Sequence, residues 1–295
     1  MNYTDEQRMA ESKKLIDGVR TLSEDFVGED MPVDIDWLKV NELSEQMLNS
    51  DKMTWKEHSD LGTAQTVLME LYANSINYCF WYGKYDFRPM DGGSGTMYDI
   101  IYEAVHDDFQ GVVDIEFIQK ITDRLTFDRY PLLQERVKHV MEVSMSTQEF
   151  VMFVLTNRDN DARIVLHELV SRYPGYASDM FLKRAFLFCY QLNRKLGWFE
   201  DSIDELPVPA DYQVPKMLEH FGCLVYKTQL LDKINSHSMI PRWSMEEISI
   251  RGATVLVCDE LSKLIGWTKS EIDSWLWLRR KECKKPFHLT ITTDY

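Results

Sequence analysis

No apolar run in this 295-residue chain approaches the roughly 18–20 residues needed to span a bilayer. The polar, charged stretch from Met1 to Leu22 does not read as a secretory signal, so a cytoplasmic protein without membrane attachment is expected. Paired cysteines are missing as well. Cys79, Cys189, Cys223, Cys258 and Cys283 stand singly and in odd number, which argues against a zinc site and against a disulfide framework. The seven histidines are equally isolated, and His167-Glu168 lacks the second histidine of a zinc-protease helix, so no metal and no other cofactor is expected. Positive charge is in short supply: 33 Lys and Arg face 48 Asp and Glu, a formal balance of −15. That works against a surface dedicated to duplex nucleic acid. It leaves room for a nucleotide in a locally basic pocket, or for a nucleic acid held by a small basic patch. Internal repeats, low-complexity stretches and long linkers are also absent.

What is present is core. With 44% hydrophobic residues the chain can bury one large domain or two closely fused lobes. Residues 5–50 are acidic, contain Pro32, and suit one or two peripheral helices. From Gly62 to Tyr82 the positions Val67, Leu68, Leu71, Tyr72, Ile76, Cys79 and Phe80 recur at helical spacing and predict a helix ending in an aromatic cluster. A loop or short hairpin is expected over Tyr85 to Gly95. Further helices are expected near Thr96–Val105, Asp114–Leu125, Pro131–Met145, Thr147–Thr156 and Asp161–Arg172, with Pro174-Gly175 as a stop. Strand-like alternation is slight, so the architecture reads as mostly α.

Two stretches carry chemical information. Between about Asp179 and Leu196, Phe181, Ala185, Phe188 and Leu192 form one helical stripe while Phe186, Leu187 and Tyr190 occupy the other side. Such a helix is apolar nearly all round and should be buried. Lys183 lies on its second face, where a cation is costly unless an acidic partner or a bound phosphate meets it. A lysine that snorkels to the surface is the plain alternative. The second stretch runs from Leu206 to Gly222. Pro215 fits the first turn of a short helix and Gly222 its end, so Asp211 falls at the approach to a helix N-terminus, held and kept ionised by the helix dipole. An ordinary capping aspartate would look the same.

Several ordered motifs resemble a known family. Ala210-Asp211-Tyr212-Gln213-Val214-Pro215, Ile250-Arg251-Gly252 preceded by Glu247, Asp273 with Leu276-Trp277, and the terminal Pro286-Phe287-His288 with Tyr295 are similar to the queuosine salvage family. Upstream, Asn77 with Phe80-Trp81, Pro131-Leu132 with Glu135-Arg136, Leu166-His167 before Tyr173-Pro174, and Phe181-Leu182-Lys183-Arg184-Ala185 fit in the same order. The similarity covers about residues 60–295, which suggests an N-terminal helical extension over 1–58 and a family domain over 59–295.

The resemblance implies a helical fold related to helix-hairpin-helix DNA glycosylases and an N-glycosidase that cuts the base–sugar bond of a queuosine-like nucleoside 5′-phosphate. It puts Asp211 at the anomeric carbon, as nucleophile or as stabiliser of the oxocarbenium-like cation. It puts Lys183 and Arg184 at the phosphate or in support of Asp211. Asn77, Phe80, Trp81 and Tyr212 fall near the base, with core packing an equal option for Phe80. Arg251 and Glu247 form either a supporting ion pair or a purely structural one. His288 either closes over the pocket or sits exposed on a docked tail.

The chain departs from the family pattern at Pro209, Gln213, Ser249 and Thr96-Met97, around the expected base pocket. These departures keep a second reading open: a viral-type DNA base-hypermodification enzyme joining an amino acid or amine to a pyrophosphate-activated hydroxymethyl-pyrimidine in DNA. A non-catalytic binder on the same scaffold is the third.

Overall fold

The computed structural model describes residues 3–53, 60–81, 90, 92–107 and 113–295. Among them the chain forms fourteen α-helices, one 3-10 turn (Ile203–Glu205) and two three-residue strands, so the protein is mostly α. In chain order the elements are α1 (Asp5–Asp25), β1 (Val33–Ile35), α2 (Trp37–Leu48), α3 (Thr63–Ser75), α4 (Gly93–Asp107), α5 (Ile115–Phe127), α6 (Leu133–Ser144) and α7 (Thr147–Thr156). There follow α8 (Ala162–Arg172), α9 (Pro174–Ala177), α10 (Lys183–Leu196), α11 (Gln213–His220), β2 (Leu224–Tyr226), α12 (Thr228–Asn235), α13 (Met245–Ile265) and α14 (Lys269–Leu278). No helix of the described residues is long and apolar enough to cross a membrane. The chain divides into two compact units, the first made of Met1–Ser12, Glu57–Ser202 and Thr292–Tyr295, the second of Lys13–Lys56 and Ile203–Ile291.

In the first unit, α3 packs on α10, α4, α6 and α7, and α10 in turn on α8. Both faces of α10 are buried, as its all-round apolar composition requires. The helix starts at Lys183 rather than Asp179. The Asp179 carboxylate accepts the N–H groups of Phe181 (3.0 Å) and Lys183 (2.9 Å), while Leu182 takes a left-handed φ of 49°. Asp179 therefore precedes the helix, whose N-cap is Leu182, and its carboxylate holds the first helical N–H.

The helix expected over Gly62 to Tyr82 stops at Ser75. Apolar residues continue through Ile76, Tyr78, Cys79, Phe80 and Trp81 because the whole segment is buried, not because it is helical. Cys79 adopts φ 47°, outside any right-handed helix. The loop expected over Tyr85 to Gly95 lies largely outside the described residues, and Gly93 to Gly95 belong to α4. Pro174 ends the run of α8 by opening α9. At Gly175 an added Cβ would stand 2.8 Å from His139 Cδ2 and 2.9 Å from Glu142 Oε1, so only glycine allows that approach to α6.

In the second unit, α13 packs on α2, α11, α14 and β1. The strands pair antiparallel, Val33 opposite Tyr226 and Ile35 opposite Leu224. Three residues are too few for period-two alternation to register, which is why the strands escaped the sequence reading. The helix α2 is not peripheral: Val40, Leu43 and Met47 are buried in this unit. Gly252 lets α13 approach Ser23, whose Cα would lie 2.9 Å from an added Cβ.

Candidate active site

Asp211 ends a buried, irregular segment and leads into α11. Its Oδ1 accepts the backbone N–H groups of Gln213 (2.7 Å) and Val214 (3.0 Å), and its Oδ2 accepts the indole N–H of Trp277 at 3.2 Å. A carboxylate offers about four lone-pair positions, so three donors orient it and leave one position without a donor among the described residues. Asp211 stands one residue before the N-cap, Tyr212, and one of its oxygens holds the first N–H groups of α11. Pro215 sits in the first turn of α11, where no N–H is needed, and Gly222 follows the helix with φ 80°.

The residue before Asp211 is fastened from α13. Arg251, fully buried, donates from Nε to the Ala210 carbonyl (3.0 Å) and pairs through Nη1 with Glu247 Oε1 at 3.2 Å. Glu247 Oε2 accepts the Trp243 N–H at 2.9 Å. On the other side Tyr212 lies against Phe287, ring centroids 4.6 Å apart and 35° between planes. His288 is buried, which rules out an exposed tail residue. Burial, reinforced by the charge of Arg251, pushes its imidazole down to about 3, so it is neutral near pH 7. Phe287 and His288 also line a cavity of about 230 Å³ with Lys216, Tyr226, Ile234 and Lys285. Asp211 is not among its lining residues.

Lys183, Arg184, Asn77, Phe80 and Trp81 gather in the first unit around the segment that follows α3. Lys183 Nζ donates to the Asn77 carbonyl at 3.0 Å. Arg184, 1% exposed, donates its two terminal nitrogens to the carbonyls of Ser75 and Gly175. Arg136 on α6 takes the carbonyls of Ile76, Tyr78 and Cys79, the last at 3.0 Å, and that of Pro131 at 2.7 Å. Three buried cations thus answer every carbonyl from Ser75 to Cys79. This is the physical reason α3 ends where it does: these acceptors are met by side chains instead of by amides four residues on. Beneath the segment, Asn77 Nδ2 stands 3.5 Å from Asn74 Oδ1, and Asn74 reaches Glu70 Oε2 at 2.9 Å. Glu70 also holds Tyr98 (3.1 Å) and Lys195 (2.8 Å). Phe80 meets Tyr130 edge to face at 6.4 Å, and Trp81 is buried.

The sequence-predicted residues therefore fall in two groups, one per unit: Asp211, Tyr212, Arg251 and His288 in the second, Lys183, Arg184, Asn77, Phe80 and Trp81 in the first. Of the departures from the family pattern, Met97 is buried in the first unit, Ser249 is buried in the second, and Gln213 is half-buried at the start of α11. Residue-by-residue reasoning quoted Arg136 and Trp277 without giving either a role. Their signal lay in the motifs Glu135-Arg136 and Leu276-Trp277. Arg280 and Lys216, which neighbour Asp211, were missed because Arg279-Arg280-Lys281 reads as a solvated charge run and Lys216 as the exposed face of a short helix.

The second unit thus holds an oriented, largely desolvated carboxylate, and the first a segment of irregular backbone fastened by cations, in a helical protein with the motif order described above. A profile of the queuosine salvage protein family matches residues 58–294. The chain belongs to that family. A queuosine 5′-phosphate N-glycosylase/hydrolase of Sphaerobacter thermophilus is 29% identical over 268 residues, covering 76% of this chain and 80% of that protein. Proteins of the same name from Dictyostelium discoideum and Bos taurus are each 24% identical, covering 86% and 80% of this chain and 89% and 84% of their own lengths.

Proposed function

We propose that the protein is an N-glycosyl hydrolase that releases the free base from queuosine 5′-monophosphate. The observation that carries this is Asp211: a carboxylate oriented by three donors in the Ala-Asp-Tyr motif of a chain whose relatives bear that activity in their names. As the base leaves, positive charge grows on the anomeric carbon. A fixed carboxylate with one lone-pair position that meets no donor among the described residues can stabilise that charge or bond to the carbon, and water then completes the hydrolysis.

We assign base recognition to Asn77, Phe80, Trp81 and Tyr212. Arg251 acts on the carboxylate through the Ala210 carbonyl, and His288, neutral and buried, shapes its surroundings. Lys183 is kept as a direct contact to the nucleotide. Arg184, engaged with two carbonyls, serves by fastening the segment that carries Asn77. On this reading the family domain starts at residue 59, residues 1–58 are an addition to it, the fold is related to the helix-hairpin-helix glycosylases, and the protein works in the cytoplasm without a cofactor. The DNA base-hypermodification reading gains no support from the relatives.

Incubation of purified protein with queuosine 5′-monophosphate, with chromatography and mass detection of the free base, tests the assignment. Release by the wild type that vanishes in Asp211→Asn is expected; release that persists undiminished in that variant would remove Asp211 from the chemistry.

A further inference from the structure

Two cations near Asp211 lack an anionic partner among the described residues. Arg280, just past α14, lays its guanidinium over the Trp277 ring at 3.3 Å from the centroid and returns Nη1 to the Trp277 carbonyl at 3.1 Å. Lys216 on α11 donates Nζ to the Arg280 carbonyl at 3.0 Å. Both side chains are half-buried. Several other cations of this unit find carboxylates: Lys285 meets Glu219 at 2.6 Å, Lys52 meets Glu271 at 2.6 Å, and Lys269 meets Asp259 at 3.2 Å, whereas Lys227, Lys281 and Lys284 are exposed. In a chain of net charge −15, two neighbouring half-buried cations that hydrogen-bond only to carbonyls among the described residues stand out.

Their electrostatics point the same way. Burial lowers the pKa of Arg280, with the charge of Asp211 only partly opposing it. Burial also lowers that of Lys216; Cys283 and Asp211 oppose this in part, and the nearby Arg280 charge adds to it. Desolvated and mutually repelling, the pair is costly until an anion joins it. The geometry suits one kind of anion. Stacking on Trp277 holds the guanidinium flat, and its Nε and Nη2 make no hydrogen bond among the described residues. That leaves a planar edge for an oxyanion, which guanidinium binds bidentately. Trp277 sets the spacing, because its Nε1 holds Asp211 Oδ2 while its face carries Arg280. The cation stays near the carboxylate without closing an ion pair with it, so Asp211 keeps its charge for the sugar.

We propose that Arg280 and Lys216 are the phosphate-recognising residues of the site, taking the 5′-phosphate of the nucleotide whose sugar–base bond is cut at Asp211. This rests on the glycosidase reading above and assigns substrate selection to it. A phosphate monoester carries close to two negative charges at neutral pH, matching the two cations. The ribose separates that phosphate from the anomeric carbon, as Trp277 separates Arg280 from the carboxylate.

The test compares kcat/KM for queuosine 5′-monophosphate and for queuosine in wild type, Arg280→Leu, Arg280→Lys and Lys216→Met. The wild type should prefer the nucleotide, and in Arg280→Leu that preference should fall by about tenfold to a hundredfold, chiefly through KM. Lys216→Met should lose several-fold, and Arg280→Lys should recover part of the Arg280→Leu loss. An unchanged preference in a folded Arg280→Leu protein would overturn the assignment. Calorimetric titration with inorganic phosphate decides it independently of turnover. Binding by the wild type that Arg280→Leu weakens supports the pair even if no nucleotide is hydrolysed, which would sink the glycosidase reading alone. Equal phosphate affinity in the two proteins would overturn the pair.

Discussion

In the unit built on α3 and α10, three buried cations commit their N–H groups to the backbone carbonyls of one short segment. In the unit built on α11 and α13, backbone and indole N–H groups converge on one side-chain carboxylate. The roles of backbone and side chain are exchanged between the two. Where a side-chain charge holds backbone, the charge is absorbed by structure and its removal is felt as instability. Where backbone holds a side-chain charge, the charge is oriented yet still available, and its removal is felt in the chemistry.

Substitutions can break that contrast. The largest effect is expected at the carboxylate: Asp211→Asn should lose turnover about a thousandfold or more while keeping nucleotide affinity and melting temperature, since an amide oxygen can still accept the Gln213 and Val214 N–H groups. Equal losses of affinity and stability would mean that Asp211 is a cap and nothing more. Next comes the opposite case. Arg136→Leu leaves the carbonyls of Tyr78 and Cys79 without their donor, and that of Ile76 with the Tyr78 N–H alone, and should destabilise the protein by about 3 kcal/mol or more in urea melts. A melt matching the wild type would show that the clamp is dispensable.

A pH comparison sharpens the contrast further, because each unit buries a histidine whose pKa is pushed down to about 3. His139 is pushed down to about 3 by burial, then by Arg184, Lys138 and Arg136; His288 is pushed down to about 3 by burial and Arg251. Both folded values lie below the ordinary value of 6.5, so the stability they contribute is present above pH 6.5 and lost as pH falls toward 3. At pH 5 each site should have lost about 2 kcal/mol. Urea melts at pH 7 and pH 5 should therefore show an acid loss smaller by about that amount in His139→Gln and in His288→Gln. A loss equal to the wild type's in either variant would show that this histidine is protonated in the fold. The smallest effect is expected at Trp277→Phe, which removes one of three donors to Asp211: kcat should drop about tenfold with little change in melting temperature. An unaltered kcat would show that the two backbone donors suffice to orient the carboxylate.

Much of this is legible in the sequence. The helical register placed α5, α7 and α8 to within a residue or two because each presents one apolar stripe to a core, and the all-round apolar composition of α10 announced its burial. The α3 boundary was misread for the same reason that α10 was read well. Burial makes a segment apolar whatever its backbone does, so Ile76 to Trp81 looked like more helix. The motif Ala210-Asp211-Tyr212 marked the carboxylate, and the apolar faces of α10 marked Lys183 as a cation on a buried helix. What that cation holds was not visible, since its partner is a carbonyl, which every residue has.

By itself the sequence determined the class of fold, the family, the candidate carboxylate and the placing of Lys183 on a buried helix, because apolar periodicity, caps and motif order are local in the chain. Only the tertiary structure decided that Trp277, 66 residues from Asp211, donates to it, that Arg251 holds Ala210, 41 residues away, and that Arg280 lies on the indole with no carboxylate partner among the described residues. Those contacts join segments whose spacing in the chain carries no period. They follow from which helices share a core, and a charge is satisfied or left waiting only once its neighbours in space are in place.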